Sequence, residues 1–362
     1  MEKLNIRRQI NKLLVLDGAG ALMIAGASWV ALLAARGFSS IQIGLAESIF
    51  HVTSMLFEIP SGAVADVFGR KTTLALSRVL AVISAIIMII SNSFMVIAVA
   101  MIFSALSYNM ASGTREALAY DSLKQGGSSE DYEKFSATDL IVYEICVSFA
   151  TLLAGFVLWL GYKRAYAIDV VIGMGTIGLA LSLHEVAAEG HENMSIKDRF
   201  RDVFVGSFVF LKDNGKARAL IIFSALVDSI AVLILFFMQA KLTQVGLNAA
   251  LLGPALFVMG IGSAIGAKLI TMVDINSIKI VMIIALLGAV FNLATVFSGN
   301  PYIMILGGFI CSFTDSWLSV KSDVYLNDMI PSSQRATLVS VNSFAYSVVM
   351  IVMSPIMGIM FS

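Results

Sequence analysis

The sequence predicts an all-α integral membrane protein built as two pseudo-symmetric helical bundles, and three observations carry that prediction. Of its 362 residues 58% are hydrophobic and 13% are charged, where soluble domains carry about 25% charge. The apolar residues fall in blocks long enough to cross about 30 Å of hydrocarbon at about 1.5 Å per residue, without the alternation of membrane strands. One long polar interval, 184–217, then divides six such blocks from five.

The spans are expected near 13–35, 41–62, 72–91, 94–114, 137–160 and 163–183, then 218–240, 247–270, 278–298, 301–322 and 335–361. The first apolar run exceeds a signal-peptide core and lacks a cleavage site, so it reads as a retained span. With the N-terminus cytoplasmic, nineteen lysines and arginines, from Lys3, Arg7, Arg8 and Lys12 to Lys321 and Arg335, fall inside. Four, Arg36, Lys163, Arg164 and Lys241, fall outside, which satisfies the positive-inside rule. The domains are therefore 1–183, a linker at 184–217, and 218–362. Within the linker, Ile196, Phe200, Val203, Phe204, Phe208 and Leu211 recur at helical spacing behind Ser195 and Asp198, which predicts an amphipathic helix on the inner membrane surface.

The halves echo one another. Arg115-Glu-Ala-Leu-Ala-Tyr-Asp-Ser-Leu ends span four and Ser322-Asp-Val-Tyr-Leu-Asn-Asp-Met-Ile ends span ten. Glu116 thus matches Asp323, Asp121 matches Asp328, and Ala137-Thr138 matches Ala336-Thr337 at the opening of the next spans. Equivalent placement in each half points to a duplicated bundle.

The loop after span two reads Gly62-Ala-Val-Ala-Asp66-Val-Phe-Gly69-Arg70-Lys71-Thr-Thr-Leu74. Its chemistry suits a latch. Gly62 removes a side chain where two helices approach, Gly69 permits a tight turn, and Asp66 is an anion fit for a helix N-terminus. Alternatively, Arg70 and Lys71 anchor the loop to anionic lipid. This pattern resembles the signature Gly-x-Leu-Ala-Asp-Arg-x-Gly-Arg-Lys-x-x-Leu of the major facilitator superfamily (MFS), with Val64 and Val67 departing from it, and the resemblance extends over essentially the whole chain. It implies the MFS fold and alternating access. It also implies that Asp66 caps the eleventh helix, which here begins Pro331-Ser332-Ser333, and that Arg70 pairs with an acid ending helix four, Asp121 first and Glu116 second. The family usually has twelve spans, and this chain ends with the eleventh.

Ionisable groups at membrane depth cost at least about 2.5 kcal/mol and ask for a reason. On span two, Ser40, Glu47, His51, Ser54, Glu58 and Ser61 lie within about 40° of one line at about 100° per residue. The stripe is either a proton or substrate path or a set of interhelical hydrogen bonds, with Glu58, beside the latch, as its most structural member. On the first, fourth, seventh and tenth helices, which line the cavity in the family, stand Asp17, Tyr108, Arg115, Asp228 and Asp315. Each fits either transport or a static bond. Glu144, Asp139 and Asp169 read as packing partners, and Arg78 as a snorkelling cation.

Zero net charge gives no sign of a nucleic-acid partner. Cys146 and Cys311, both in apolar runs, argue against a disulfide framework or metal site. Gly260-Ile-Gly262-Ser-Ala-Ile-Gly266 lies in a span without a preceding strand and reads as helix packing. No Walker lysine motif points to ATP. The expectation is a monomeric, non-enzymatic secondary transporter of the bacterial inner membrane without cofactor or metal. Protons are the expected coupling ion and a small molecule the cargo. The direction leans to efflux of amphipathic, drug-like compounds, although the Gly-Pro signature of many drug antiporters is absent from 137–160. Uptake of a polar nutrient, or a non-transporting sensor, are the alternatives.

Overall fold

The computed structural model describes residues 5–186, 201, 205, 209–210, 212–270, 272–273, 275, 277–329 and 335–362. Most of the expected linker helix and residues 331–334, the expected start of the eleventh span, lie outside them. Every regular element among the described residues is helical, and nine helices are long and apolar enough to cross a membrane. The other two expected spans, the first and the second, are also helical and depart from that standard for physical reasons.

The first span is broken. Helix α1 (Ile6–Ala21) starts where the Asn5 side chain accepts the Arg8 N–H at 3.0 Å, then gives way to α2 (Ile24–Ala27) and α3 (Trp29–Ala35). A break inside hydrocarbon strands backbone groups that water would otherwise satisfy. Asp169 meets that need at one end: its carboxylate accepts the Gly26 N–H at 3.0 Å, beside the start of α2. Arg78, 8% exposed, lies against Gly20 near the end of α1. An anion at a helix start and a cation at a helix end both match the helix dipole. Asp169 is thus a cap rather than a plain packing partner, and Arg78 is buried rather than snorkelling.

The second span, α4 (Ser40–Phe68), is one continuous helix that carries the polar stripe and contains Pro60. The first half continues with α5 (Arg70–Ile90), α6 (Phe94–Ala111), α7 (Thr114–Gln125), α8 (Tyr132–Leu152), α9 (Ala154–Leu160) and α10 (Tyr162–Leu181). The second half holds α11 (Gly215–Gln244), α12 (Leu252–Ile270), α13 (Ile278–Val296), α14 (Pro301–Met329) and α15 (Arg335–Met360).

Two compact units result, the described residues of Met1–Leu32 with Ile49–Ile196, and those of Leu33–Ser48 with Lys197–Ser362. In the first, Leu13, Leu16, Leu74, Leu118, Phe135 and Leu183 share one core. In the second, α14 packs on α12 and α13 while α11 packs on α14 and α15. Gly262 and Gly266 of α12 admit the backbone carbonyls of Phe309 and Phe313 in α14, so that glycine run serves helix packing.

The start of α4 belongs to the second unit, where it docks on α15. Ser48 donates to the Ile351 carbonyl at 2.8 Å and Ser40 to the Phe361 carbonyl at 3.2 Å. A Cβ on Gly44 would strike the Ser354 carbonyl oxygen, and one on Gly358 would strike that of Ser40. The obstacle is backbone, so a larger residue must part the helices. Gly44→Val is therefore expected to cost about 1–3 kcal/mol, read as the unfolding midpoint in detergent; an unchanged midpoint would contradict this packing.

Candidate functional site

The latch loop is built from the first unit alone. Gly69 has φ +86°, a conformation that side chains disfavour. Immediately after it α5 begins, and its first amides are taken by Glu185, which follows α10: Arg70 and Lys71 N–H groups donate to its two carboxylate oxygens at 2.8 and 2.9 Å. A Cβ on Gly69 would collide with that carboxylate. The Arg70 guanidinium reaches α7, donating to the Ala117 carbonyl at 2.7 Å and pairing with Asp121. Glu116 pairs with Arg115 instead. Asp66 is exposed near the end of α4, and a Cβ on Gly62 would meet open space. Close approach is therefore not the reason for glycine at 62 in this structure.

Gly69 thus has two reasons to be glycine, and they can be separated. Gly69→Ala is expected to lose about 1–3 kcal/mol from positive-φ backbone strain alone, plus the cost of displacing Glu185. Adding Glu185→Ala should recover only the second part. A double-mutant cycle on unfolding free energy checks this; full recovery would remove the strain argument.

Arg115 of α7 is the hub of the first unit's charges. Its guanidinium pairs with Asp17 of α1, with Asp139 of α8 at 2.9 Å and with Glu116 at 2.7 Å. Asp17 and Asp139 are 8% and 9% exposed at the side chain. Asp139, read from sequence as a packing partner, is therefore joined to two of the expected path residues. Along the α4 stripe, Glu47, His51 and Ser54 are buried and Glu58 is exposed. Ser54 donates to Asn109 Oδ1 at 2.7 Å, Asn109 donates back to the Ser54 carbonyl at 2.6 Å, and Ser61 donates to the Glu58 carbonyl at 2.7 Å. Those hydroxyls are spent on helix contacts. His51 stands edge-on to Phe50, whose ring lies 6.0 Å from that of the exposed Tyr108.

In the second unit, the carboxyl groups of Asp228 of α11 and Asp315 of α14 lie close enough to interact directly. Their buried Oδ1 atoms receive no hydrogen bond, and neither acid is ion-paired among the described residues. Asp228 also lines a cavity of about 310 Å³ enclosed by α11, α14 and α15. Asp323, Ser322, Ser319, Ser224, Asn342, Ser343 and Tyr346 give it a polar wall, while Ile221, Ala225 and Leu326 give it an apolar one. Ser224 and Ser322 share a hydrogen bond of 3.0 Å. Of these, sequence reasoning singled out Asp228 as a path residue. The match of Asp323 to Glu116 was the available signal for a second acid; Glu185 carried no local signal.

A helical membrane protein with a latched loop and buried acids beside a cavity is a transporter in outline, and comparison with known proteins supplies the family. The Major Facilitator Superfamily pattern matches residues 13–283. The chain belongs to that superfamily. It is 21% identical over 350 residues to the uncharacterized MFS-type transporter YxaM of Bacillus subtilis (strain 168), covering 94% of this chain and 85% of that one. Among solved structures it resembles the nucleoside transporter NupG, with TM-score 0.73, 17% identity, and 97% and 90% of the two chains covered. It also resembles a D-xylose-proton symporter, with TM-score 0.69, 12% identity, and 96% and 89% covered. At these identities the structural likeness shows the MFS fold, and the protein is a multi-pass membrane protein of a transporter family.

Proposed function

We propose that the chain is a proton-coupled secondary transporter working by alternating access, moving a small amphipathic molecule outward across the bacterial inner membrane with its N-terminus in the cytoplasm. The observation that carries the reading is the Asp228–Asp315 carboxyl pair beside the second-unit cavity. A carboxyl pair that holds one proton can exchange it as the site changes exposure. Among the described residues, Asp323 and the Cys311 thiol are titratable groups in its field. Tyr346 and Asn342 face the cavity from α15. The apolar wall opposite the acids favours cargo with both an apolar and a polar part. Outward direction rests on the family resemblance alone. The latch of Gly62, Asp66, Gly69, Arg70, Lys71 and Asp121, with Arg115 and Glu116 behind it, forms the inner closure in this reading.

Flux of a compound panel in proteoliposomes with an imposed pH gradient tests it. Wild-type protein is expected to move at least one compound against its gradient, and Asp228→Asn to reduce that gradient-driven flux to background. Gradient-insensitive flux, or an unaltered Asp228→Asn, would remove proton coupling from the proposal; no flux at all would favour the sensor.

A further inference from the structure

The internal repeat assigns the second-unit cavity a chemistry. With Glu116 matched to Asp323, the residue matching Arg115 is Ser322. In the first unit, the first, fourth and fifth spans surround the Arg115 guanidinium with Asp17 of α1, Glu116 of α7 and Asp139 of α8. In the second unit, α11, α14 and α15 stand at those places in the repeat and surround a cavity. Asp228, Asp323 and Ser322 line it, and among the described residues no lysine, arginine or histidine does. Asp323 stands for Glu116 and Asp228 lies on the span equivalent to that of Asp17, Leu338 takes the place of Asp139, and the cation is replaced by a serine and open volume.

We propose that this cavity binds the guanidinium or ammonium end of a small organic cation, which takes the place that Arg115 fills in the first unit; the proposal rests on reading the cavity as the substrate site. Asp228 presents a buried oxygen that no donor satisfies, and leaving such a group unpaired is costly. A cation rich in N–H groups supplies donors to carboxylates, serine hydroxyls and the Asn342 carbonyl together, as bidentate guanidinium pairs do. A volume of about 310 Å³ is at the small end of ligand pockets, roughly 300–1,000 Å³. It exceeds what a bare alkali ion fills, and Ile221, Ala225 and Leu326 can cover an alkyl part.

The test titrates the purified full chain in detergent with methylguanidinium, using its neutral isostere methylurea and sodium chloride of equal ionic strength as controls. Methylguanidinium alone is expected to raise the unfolding midpoint saturably. Asp228→Asn and Asp323→Asn should each weaken its binding roughly 10- to 100-fold, the loss of one charge-assisted hydrogen bond. Ser322→Arg, which supplies the cation from within the chain, should raise the ligand-free midpoint and abolish the response to the probe. Equal shifts with methylurea or sodium, no shift with methylguanidinium, or wild-type affinity in both acid variants would overturn the assignment. Proteoliposomes separate this proposal from the transport reading. Probe binding without any flux keeps the cation site and removes transport; flux of other compounds without probe binding removes the cation site alone.

Discussion

Arg115→Ala is expected to be the most destabilising single change in the first unit, costing about 3–5 kcal/mol, the usual cost of removing one partner from a buried ion pair. The guanidinium faces Asp17 and Asp139, both nearly buried at the side chain, whereas Glu116 is 39% exposed and contributes little. Without Arg115, two carboxylates are left without that cation at membrane depth, and α1 loses its charged tie to α7 and α8. Arg115→Lys should recover part of the loss, since an ammonium cannot reproduce a fork that serves several carboxylates. The triple change Arg115→Ala with Asp17→Asn and Asp139→Asn should recover most of it. Reversible unfolding in mixed micelles reads the difference. A loss of less than about 1 kcal/mol, the surface-pair range, would show that the cluster is solvated.

The same cluster shows what the sequence could and could not disclose. Helix count and type follow from hydropathy because every backbone group in hydrocarbon must be satisfied locally, and the latch motif has a fixed spacing. Candidate charges were visible because Asp17, Arg115, Asp228 and Asp315 interrupt apolar runs. Their partners were not, because pairing depends on which helix faces meet. Asp139 gave no sign that it would share Arg115 with Asp17, and Glu185 reaches α5 from 114 residues away. The docking of Ser40–Ser48 on α15 was hidden for the same reason: Gly44 and Gly358 matter only through a long-range backbone approach. The cavity was half legible, since the repeat flagged Asp323 but no pattern gives an enclosed volume.

The break in the first helix gives the second large effect. Nothing between Gly18 and Ile24 compels it by composition, since Gly-Ala-Gly-Ala-Leu-Met lacks proline. Its stabilising groups come from elsewhere, chiefly the Asp169 carboxylate on the amide of Gly26. Asp169→Ala would strand the Gly26 amide and remove the anion from the start of α2, an unsatisfied amide costing roughly 1–3 kcal/mol. Because the turn can partly relax or rewind, no more than about 1–3 kcal/mol is expected. Asp169→Asn keeps one acceptor oxygen and should lose less than the alanine variant. Thermal unfolding of both variants in detergent checks the order. Equal losses would mean that charge rather than acceptance dominates, whereas a neutral alanine variant would mean that the helix rewinds through the break. The last outcome would be informative in itself, since rewinding must also displace Gly20 from the Arg78 guanidinium it now packs against.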